Sequence, residues 1–537
     1  MKRIIALLLA AIMAVFALAG CGGSQSGPSA PAPSQSAGQT GSSGGTSGGE
    51  TDPLAGEKPV LKYLGYNVSF DPNTDPMAKV YEEVTGYKVE YSVLPAENAD
   101  EKLLMDVSSG AYYDVLNINP SQFQTLLAQG ALMPLTDLLE KYGKDILEGV
   151  SEDSWKAMTG ADGEIYGIPY KYAHPQEIAN FMVVRMDLLR KAGINEIPKK
   201  LTIDDFYNIL KKLKDYYGDQ YIIFTGPFRQ ASEAGAGVNW DIPQNITSAF
   251  GIYSDWMVDD NGKVIYMTEH ENFPKMIEFM QKLMSEGLLD RDWAVNNTTT
   301  VNEKLSSGKA IIACSNRTGT MVTTPVMMET LGLDWDDFAY IGALYGNDGT
   351  CKYMRTEAIN QVTCILKNAK NPEHVINWIN IKQQNQLYLN FGVEGVHFNF
   401  DENGDIVPIN PIFAEERGNS YWYLNSTDED VFAKQWPSRV RKSQAMWEPF
   451  DAVTNYANKH TPEIFVPNTF AFMPSLENYS KYNQSLFKST SDFILQLIAE
   501  TKSINDLPTF MKDWANNGGE KVRAEMQAWY NEFYGGK

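Results

Sequence analysis

The first hundred or so residues beyond position 57 constrain the fold more than any other stretch. Residues 60–66 read as a strand. Asp75 followed by Pro76 is a helix start, with Asp as cap and Pro in the first turn. That helix runs to about Val84 and stops at Gly86. Residues 87–94 alternate as a strand, residues 98–109 form a second helix closed by Gly110, and residues 114–118 form a third strand, apolar enough to be buried. Strand, helix, strand, helix, strand at this spacing requires a parallel sheet covered by helices. The body from about Glu57 to Lys537 is too long for one core, because cores beyond roughly 250–300 residues divide. Two lobes follow.

Further along, Ser121 is expected to cap a helix ending at Gly130, and Thr136 one ending near Gly143. Asp162-Gly163 is a tight-turn pair leading into a short strand stopped by Pro169. Residues 178–184 read as a strand. Thr202 opens the clearest helix, with Phe206, Ile209, Leu210, Leu213 and Tyr217 on one face and Gly218 at its end. Residues 221–224 are a strand, Asn261-Gly262 turns a hairpin, and residues 273–284 form an amphipathic helix. A helix near 301–305 leads into a strand that starts at Gly308-Lys309-Ala310. Pro372 starts a long helix to about Tyr388, and Asn403-Gly404 turns another hairpin. Residues 418–446 look aromatic and irregular. The C-terminus reads as three helices, about 491–499, 505–514 and 521–533.

The N-terminus has a different character. Met1-Lys2-Arg3 precedes an apolar run from Ile4 to Ala19, and small residues follow. This is the pattern of an export signal; the run is short for a membrane span, which needs about 20 residues. Leu18-Ala19-Gly20-Cys21 resembles a bacterial lipobox, which implies cleavage before Cys21 and lipidation of that cysteine. Residues 22–49 are nearly all Gly, Ser, Ala, Pro, Gln and Thr, with nothing to build a core. They read as a flexible tether with a reach of roughly 30 Å.

Formal net charge is −22, with 43% hydrophobic and 21% charged residues. The composition is that of a globular protein, and the acidity argues against nucleic acid and against electrostatic docking on anionic lipid. Beyond Cys21 only Cys314, Cys351 and Cys364 remain. Three buried free thiols is one reading; a Cys351–Cys364 pair is the other. The five histidines, His174, His270, His374, His397 and His460, make no metal-spaced pair. There is no nucleophile elbow and no phosphate loop, since Ala310 follows Gly308-Lys309. No catalytic residue, metal site or cofactor is expected, although carboxylates are too numerous for sequence alone to exclude a two-acid glycosidase.

Five local patterns in order then resemble one family. They are Ser108-Ser109-Gly110 with Asp114-Val115, Gly130-Ala131-Leu132 with Leu135-Thr136, Asp162-Gly163-Glu164-Ile165-Tyr166-Gly167-Ile168-Pro169, Ser307-Gly308-Lys309-Ala310, and Gly392-Val393-Glu394-Gly395-Val396-His397-Phe398. The chain resembles the extracellular solute-binding proteins of ABC importers, of the group that binds sugars and oligosaccharides. The resemblance implies an α/β, two-lobed, periplasmic-binding-protein-like fold of the type II, Venus flytrap kind, with an interlobe cleft and a hinge. It divides the chain into a signal peptide (1–20), a tether (21–57), a first lobe (58–170, with a return over roughly 352–430) and a second lobe (171–351, with C-terminal helices over roughly 431–537). It implies a non-enzymatic monomer on the extracytoplasmic side of the cell membrane, anchored by lipid on Cys21, with a carbohydrate ligand and a membrane permease as partners. Some large relatives carry a calcium loop after the helix that here ends at Gly218; Asp215 and Asp219 alone offer too few oxygens for calcium.

A sugar site wants flat aromatic faces and paired hydrogen-bonding side chains. Trp240 lies in a Gly/Asn loop with no helix face to fill. Tyr170, Tyr172 and His174 follow the crossover proline. Asn316 and Arg317 follow a strand, where open α/β sheets bind ligands. Glu394, with His397 beside it, and Trp422 and Trp436 in the aromatic region complete the candidates. Trp378, Trp514 and Trp529 have helical apolar spacing and are expected in cores. A peptide, an anionic sugar or another small solute is the alternative ligand, with Arg229 and Arg317 suited to an anion. A surface-anchored polysaccharide-degrading enzyme and a sensing partner are the alternative functions.

Overall fold

A computed structural model describes residues 53–534 except 161, 172–177, 179, 228–241, 356–358, 456–461, 472, 474 and 475. The signal, the tether up to residue 52 (Cys21 included), Tyr172, His174, Arg229 and Trp240 lie outside the described residues. Walking the chain, β1 (Leu61–Gly65), β2 (Val89–Val93), β3 (Val115–Ile118) and β4 (Ile168–Tyr170) build the first sheet. Next come β5 (Asn180–Arg185), β6 (Ile222–Thr225), the hairpin β7 (Trp256–Val258) and β8 (Val264–Tyr266), β9 (Ala310–Asn316) and β10 (Phe338–Ile341). β11 (Tyr353–Met354), β12 (Gln361–Cys364), the hairpin β13 (Phe398–Phe400) and β14 (Ile406–Pro408), and β15 (Phe465–Val466) complete the strands.

The first sheet has the order β2-β1-β3-β12-β4. β1 runs parallel to β2 and β3, with Tyr63 opposite Tyr91 and Val115. β12 is antiparallel to β3 and β4. Alternation sends Leu61, Tyr63 and Val115 to one core, and Leu64, Leu116 and Ile118 to another. The second sheet has the order β10-β5-β9-β6. Its faces divide the same way, Met182 and Val184 against Phe181 and Val183. The C-terminal helices Glu477–Ile498, Leu507–Trp514 and Glu520–Tyr534 add Phe493, Leu497, Trp514 and Val522 to the core under Met182.

The chain passes between the sheets three times. It leaves β4 at Tyr170 and enters β5 at Asn180, and it returns from β11 to β12. It leaves again between helix Glu429–Val440, whose Phe432 and Trp436 pack on the first core, and helix Gln444–Phe450, which packs on helix Arg317–Leu331. The ends of β3 and β4 and the start of β12 lie on the side where the crossings begin. The start of β5 lies beside the end of β9, because Asn180 pairs with Asn316. The strand ends that bind ligands in open α/β sheets therefore face the crossings in both lobes.

Several local expectations are corrected. The helix Pro120–Ala128 is capped by Asn119, not Ser121: Asn119 and Gln122 exchange bonds in a capping box and Pro120 takes the first turn. Thr136 is the first helical residue rather than the cap, and its hydroxyl accepts from the N–H of Ile165 at 3.0 Å. The 418–446 region is mostly helical: Ser420–Tyr423 is a short 3-10 turn, and Asp428 caps the helix Glu429–Val440. Pro437 inside that helix hid the pattern. Helix Arg317–Leu331 was not expected at all, because its Thr, Val and Pro325 content has weak helical propensity and no clean apolar stripe. Of the last three helices, the first begins far earlier, extending over Glu477–Ile498, while Leu507–Trp514 and Glu520–Tyr534 lie within two residues of the expected starts.

Trp378 and Trp514 are core residues, at 0% and 1% exposure, while Trp529 is half-buried against Phe533. Cys314, Cys351 and Cys364 are all free and buried. Burial pushes the Cys351 thiol up to about 12 and the other two higher still. Residues 57–537 are therefore expected to give no reaction with a thiol reagent such as DTNB until denaturant is added, and then three thiols; fast native labelling would contradict this burial.

Candidate functional site

A cavity opens at the end of β9. Its walls come from five places: Asn180 at the start of β5, Pro227 just after β6, Pro243-Gln244-Asn245, the helix Thr298–Ser306 through Thr298, Val301 and Asn302, and Cys314-Ser315-Asn316. Asn316 ends the strand and caps the next helix, accepting from the N–H of Gly319 at 2.7 Å. Gly319 has no room for a side chain; a Cβ there would sit 2.7 Å from Ser315 Oγ and 3.0 Å from Asn302 Oδ1. The absence of that carbon lets the helix start press onto the strand end.

Asn245 is wholly buried. Its Nδ2 donates to the carbonyls of Asn180 at 2.8 Å and Gly342 at 2.5 Å, and its own carbonyl accepts from Leu344 N at 2.8 Å. Among the described residues its Oδ1 has no hydrogen-bond partner. Gln244 is tied by Nε2 to the carbonyl of Tyr253 at 3.2 Å. The lining thus combines amides and hydroxyls with the apolar faces of Pro227, Pro243 and Val301. Such a lining sets hydrogen-bonding and apolar partners side by side, as a polyol needs, around a space of about 30 Å³, roughly the size of a single water, so a sugar would rest on this lining rather than inside it.

The helix that carries Thr298, Val301 and Asn302 is held from behind. Lys304 Nζ lies 2.7 Å from Asp290 Oδ2 and 2.8 Å from Asn296 Oδ1. Asp290 Oδ2 also accepts from Thr225 Oγ1 at 2.6 Å and from Asn296 Nδ2 at 2.9 Å. Burial raises the Asp290 carboxyl, but the bonds from Lys304, Thr225, Asn296 and the Asp292 N–H outweigh it and leave it below its ordinary value. This network ties the end of β6 to the helix.

Four of the candidates fall along one line. The Arg317 guanidinium lies 5.9 Å from the Trp436 ring and 5.7 Å from that of Phe450. Trp436 packs 6.2 Å from Phe432, and Phe432 6.2 Å from Tyr170. Asn316, Arg317, Trp436 and Tyr170 thus connect the cavity to the first lobe. Of these, only Asn316 lines the cavity; Tyr170 is 1% exposed, with its hydroxyl donating to the carbonyl of Tyr421 at 3.2 Å. Trp422 departs from the expected cleft position: it is 0% exposed, inside the first core, against Tyr63, Tyr66, Phe70, Tyr91 and Tyr423. Glu394 is exposed in the tight turn before β13, and His397 is buried, accepting from Val393 N and facing Glu416.

The sequence reading missed Asn180, Gln244, Asn245, Thr298 and Asn302. One signal was available: Pro243-Gln244-Asn245 resumes the chain directly after the Gly/Asn loop singled out for Trp240. That loop's flanks, Pro227 and Pro243, both line the cavity. At the position of the relatives' calcium loop, Asp219 pairs with Lys214 at 2.6 Å and Asp215 with Lys211 at 3.5 Å. Among the described residues no cluster of three or more His, Cys, Asp or Glu is placed to hold a metal.

Comparison with known proteins agrees with this architecture. Lipoprotein LipO of Bacillus subtilis (strain 168) is 24% identical over 365 residues, 64% of this chain and 68% of that protein. The fructooligosaccharide ABC transporter substrate-binding protein FusA of Streptococcus pneumoniae serotype 4 is 27% identical over 261 residues, 45% of this chain and about half (47%) of FusA. In structure, FusA in complex with kestose superposes with a TM-score of 0.59 at 20% identity, covering 89% of this chain and 100% of that chain. The alginate-binding protein AlgQ2 without calcium ion superposes with a TM-score of 0.62 at 17% identity, covering 89% of this chain and 99% of that chain. The fold is thus the two-lobed solute-binding fold. The family model for the bacterial extracellular solute-binding protein matches residues 69–380, more than half of the sequence, and the chain belongs to that family.

Proposed function

We propose that this protein is a lipid-anchored extracytoplasmic receptor that captures a carbohydrate, an oligosaccharide in length, in its interlobe cleft and hands it to an ABC importer. The observation that carries the reading is the cavity at the end of β9, where amide and hydroxyl groups alternate with proline and valine faces. The fructooligosaccharide and alginate named for two relatives support a sugar ligand. The three passages between lobes supply a hinge, and closure about it completes the site from both sides. The export signal, Cys21 and the tether support an anchor, and no described helix is long and apolar enough to cross a membrane. Binding proceeds without reaction.

The test is isothermal titration of residues 57–537 with pooled oligosaccharides, followed by product analysis of the same tubes. Heat of binding with intact glycan is the expected result. Shortened glycan would make the protein an enzyme, and a response to peptides with none to sugars would change the ligand class.

A further inference from the structure

We infer that the last helix, Glu520–Tyr534, is an interlobe strap, rooted in the second lobe and gripping the first with its tip, and that Phe533 is thereby a positioning residue that sets the angle between the lobes. This rests on capture by lobe closure, as proposed above, and concerns what governs that closure. Val522, Met526, Trp529 and Phe533 recur at steps of four, three and four residues and so share one stripe of the helix. The stripe changes lobes along its length. Val522 and Met526 are buried with Phe493, Leu497 and Trp514 in the core of the second lobe. Phe533, two turns beyond Met526, packs instead on the first-lobe core that holds Leu116, Ile118 and Met158. Lys156 Nζ, on the first lobe's helix Glu152–Met158, lies 5.8 Å from its ring.

The rings between the two lobes form one connected group. Trp529 lies 4.9 Å from Phe533, with the planes 26° apart, and 6.0 Å from Phe470. Phe470 packs on the second-lobe core, while its neighbour Ala471 packs on the first. Tyr534 lies 4.9 Å from Phe533, and its hydroxyl donates to the carbonyl of Thr469 at 3.1 Å. The segment that carries Thr469 and Phe470 starts beside the second passage between the lobes: β15 runs parallel to β11, and the N–H of Arg355 donates to the carbonyl of Val466 at 2.8 Å. The three passages are covalent. The grip of Phe533 is made by side chains alone, so it can slip or part as the lobes rotate. Parting it would return Phe533 and part of Trp529 to water, which favours the arrangement in which the contact is made. A ligand that favours one lobe arrangement works with or against this contact, and its affinity changes accordingly.

The experiment is single-molecule energy transfer on residues 57–537 carrying Lys79→Cys in the first lobe and Lys191→Cys in the second, both at exposed positions. The three native thiols are buried, so dyes go to the introduced ones. Without ligand, Phe533→Ala is expected to shift the transfer distribution, changing the ratio of lobe arrangements by about 3- to 10-fold, as for the loss of one aromatic contact. Phe533→Leu, which keeps an apolar tip, should restore most of the original distribution. The same dyes then report titration with pooled oligosaccharides, whose half-saturating concentration should move in Phe533→Ala by a similar factor. An unchanged distribution in both Phe533→Ala and Trp529→Ala would overturn the strap while leaving the receptor standing. Equal shifts in Phe533→Ala and Phe533→Leu would show general loosening and also overturn it. A strap effect without any response of the unaltered protein to oligosaccharides would support the strap and count against the carbohydrate reading alone.

Discussion

Replacing Trp422 with alanine is expected to destabilise the first lobe by about 3–5 kcal/mol, the usual range for truncating a buried tryptophan. The indole is fully enclosed, 5.3 Å from the Tyr63 ring and 5.6 Å from Tyr91, and its Nε1 donates to the carbonyl of Tyr66 at 3.3 Å. It also presses on β1: a Cβ added at Gly65 would lie 2.8 Å from its Cζ2. Truncation would remove the centre of an aromatic cluster that ties the returning Ser420–Tyr423 segment to the first sheet. Urea unfolding reports the loss. A variant with unchanged stability and lost sugar affinity would instead put Trp422 in the binding surface.

Lys304→Met is expected to cost about 3 kcal/mol, near the lower end for breaking a buried ion pair, because Asp290 keeps its bonds from Thr225 and Asn296. The two side chains are 17% and 4% exposed, so solvent screens the pair little. Sugar affinity is expected to fall with it, since the helix held by Lys304 carries Thr298, Val301 and Asn302 to the cavity. The pH dependence has a definite sign. The folded-state Asp290 carboxyl lies below 3.8, so its contribution to stability is present above that value and is lost as pH falls below it, through the folded pKa. Removing the lysine raises the carboxyl, and the acid unfolding midpoint of the variant is expected at higher pH. An unchanged acid limb and unchanged affinity would show that the network supports neither the lobe nor the site.

Element identity was legible wherever the sequence supplied punctuation. Asp75-Pro76 and Gly86 bracket the first helix as expected, and the N–H of Met77 donates to the Asp75 carboxylate at 2.9 Å. Thr202 and Gly218 bracket the second lobe's clearest helix. Arg317–Leu331 was illegible because its helix is stabilised by packing against Gln444–Phe450 and by the Asn316 cap, not by propensity. Trp422 misled for a related reason: an aromatic residue outside any visible periodic pattern looks available to a ligand. Only the fold shows Tyr63, Tyr91 and Phe70, from three other segments, closing over it.

The sequence by itself determined the order of strands and helices wherever caps, turns or periodicity marked them, the division into more than one core and the ordered motifs of the family. These depend on residues close together in the chain, through periodicity, caps and turn chemistry. The tertiary structure alone decided which residues face one another. Asn180, Asn245, Asn302 and Asn316 are separated by as many as 136 positions, yet they line one cavity because β5 starts where β9 ends. That the Oδ1 of Asn245 has no hydrogen-bond partner among the described residues could not be foreseen for the same reason. Its two anchors, the carbonyls of Asn180 and Gly342, come from distant segments, and a hydrogen bond left unmade is visible only once every partner has been placed.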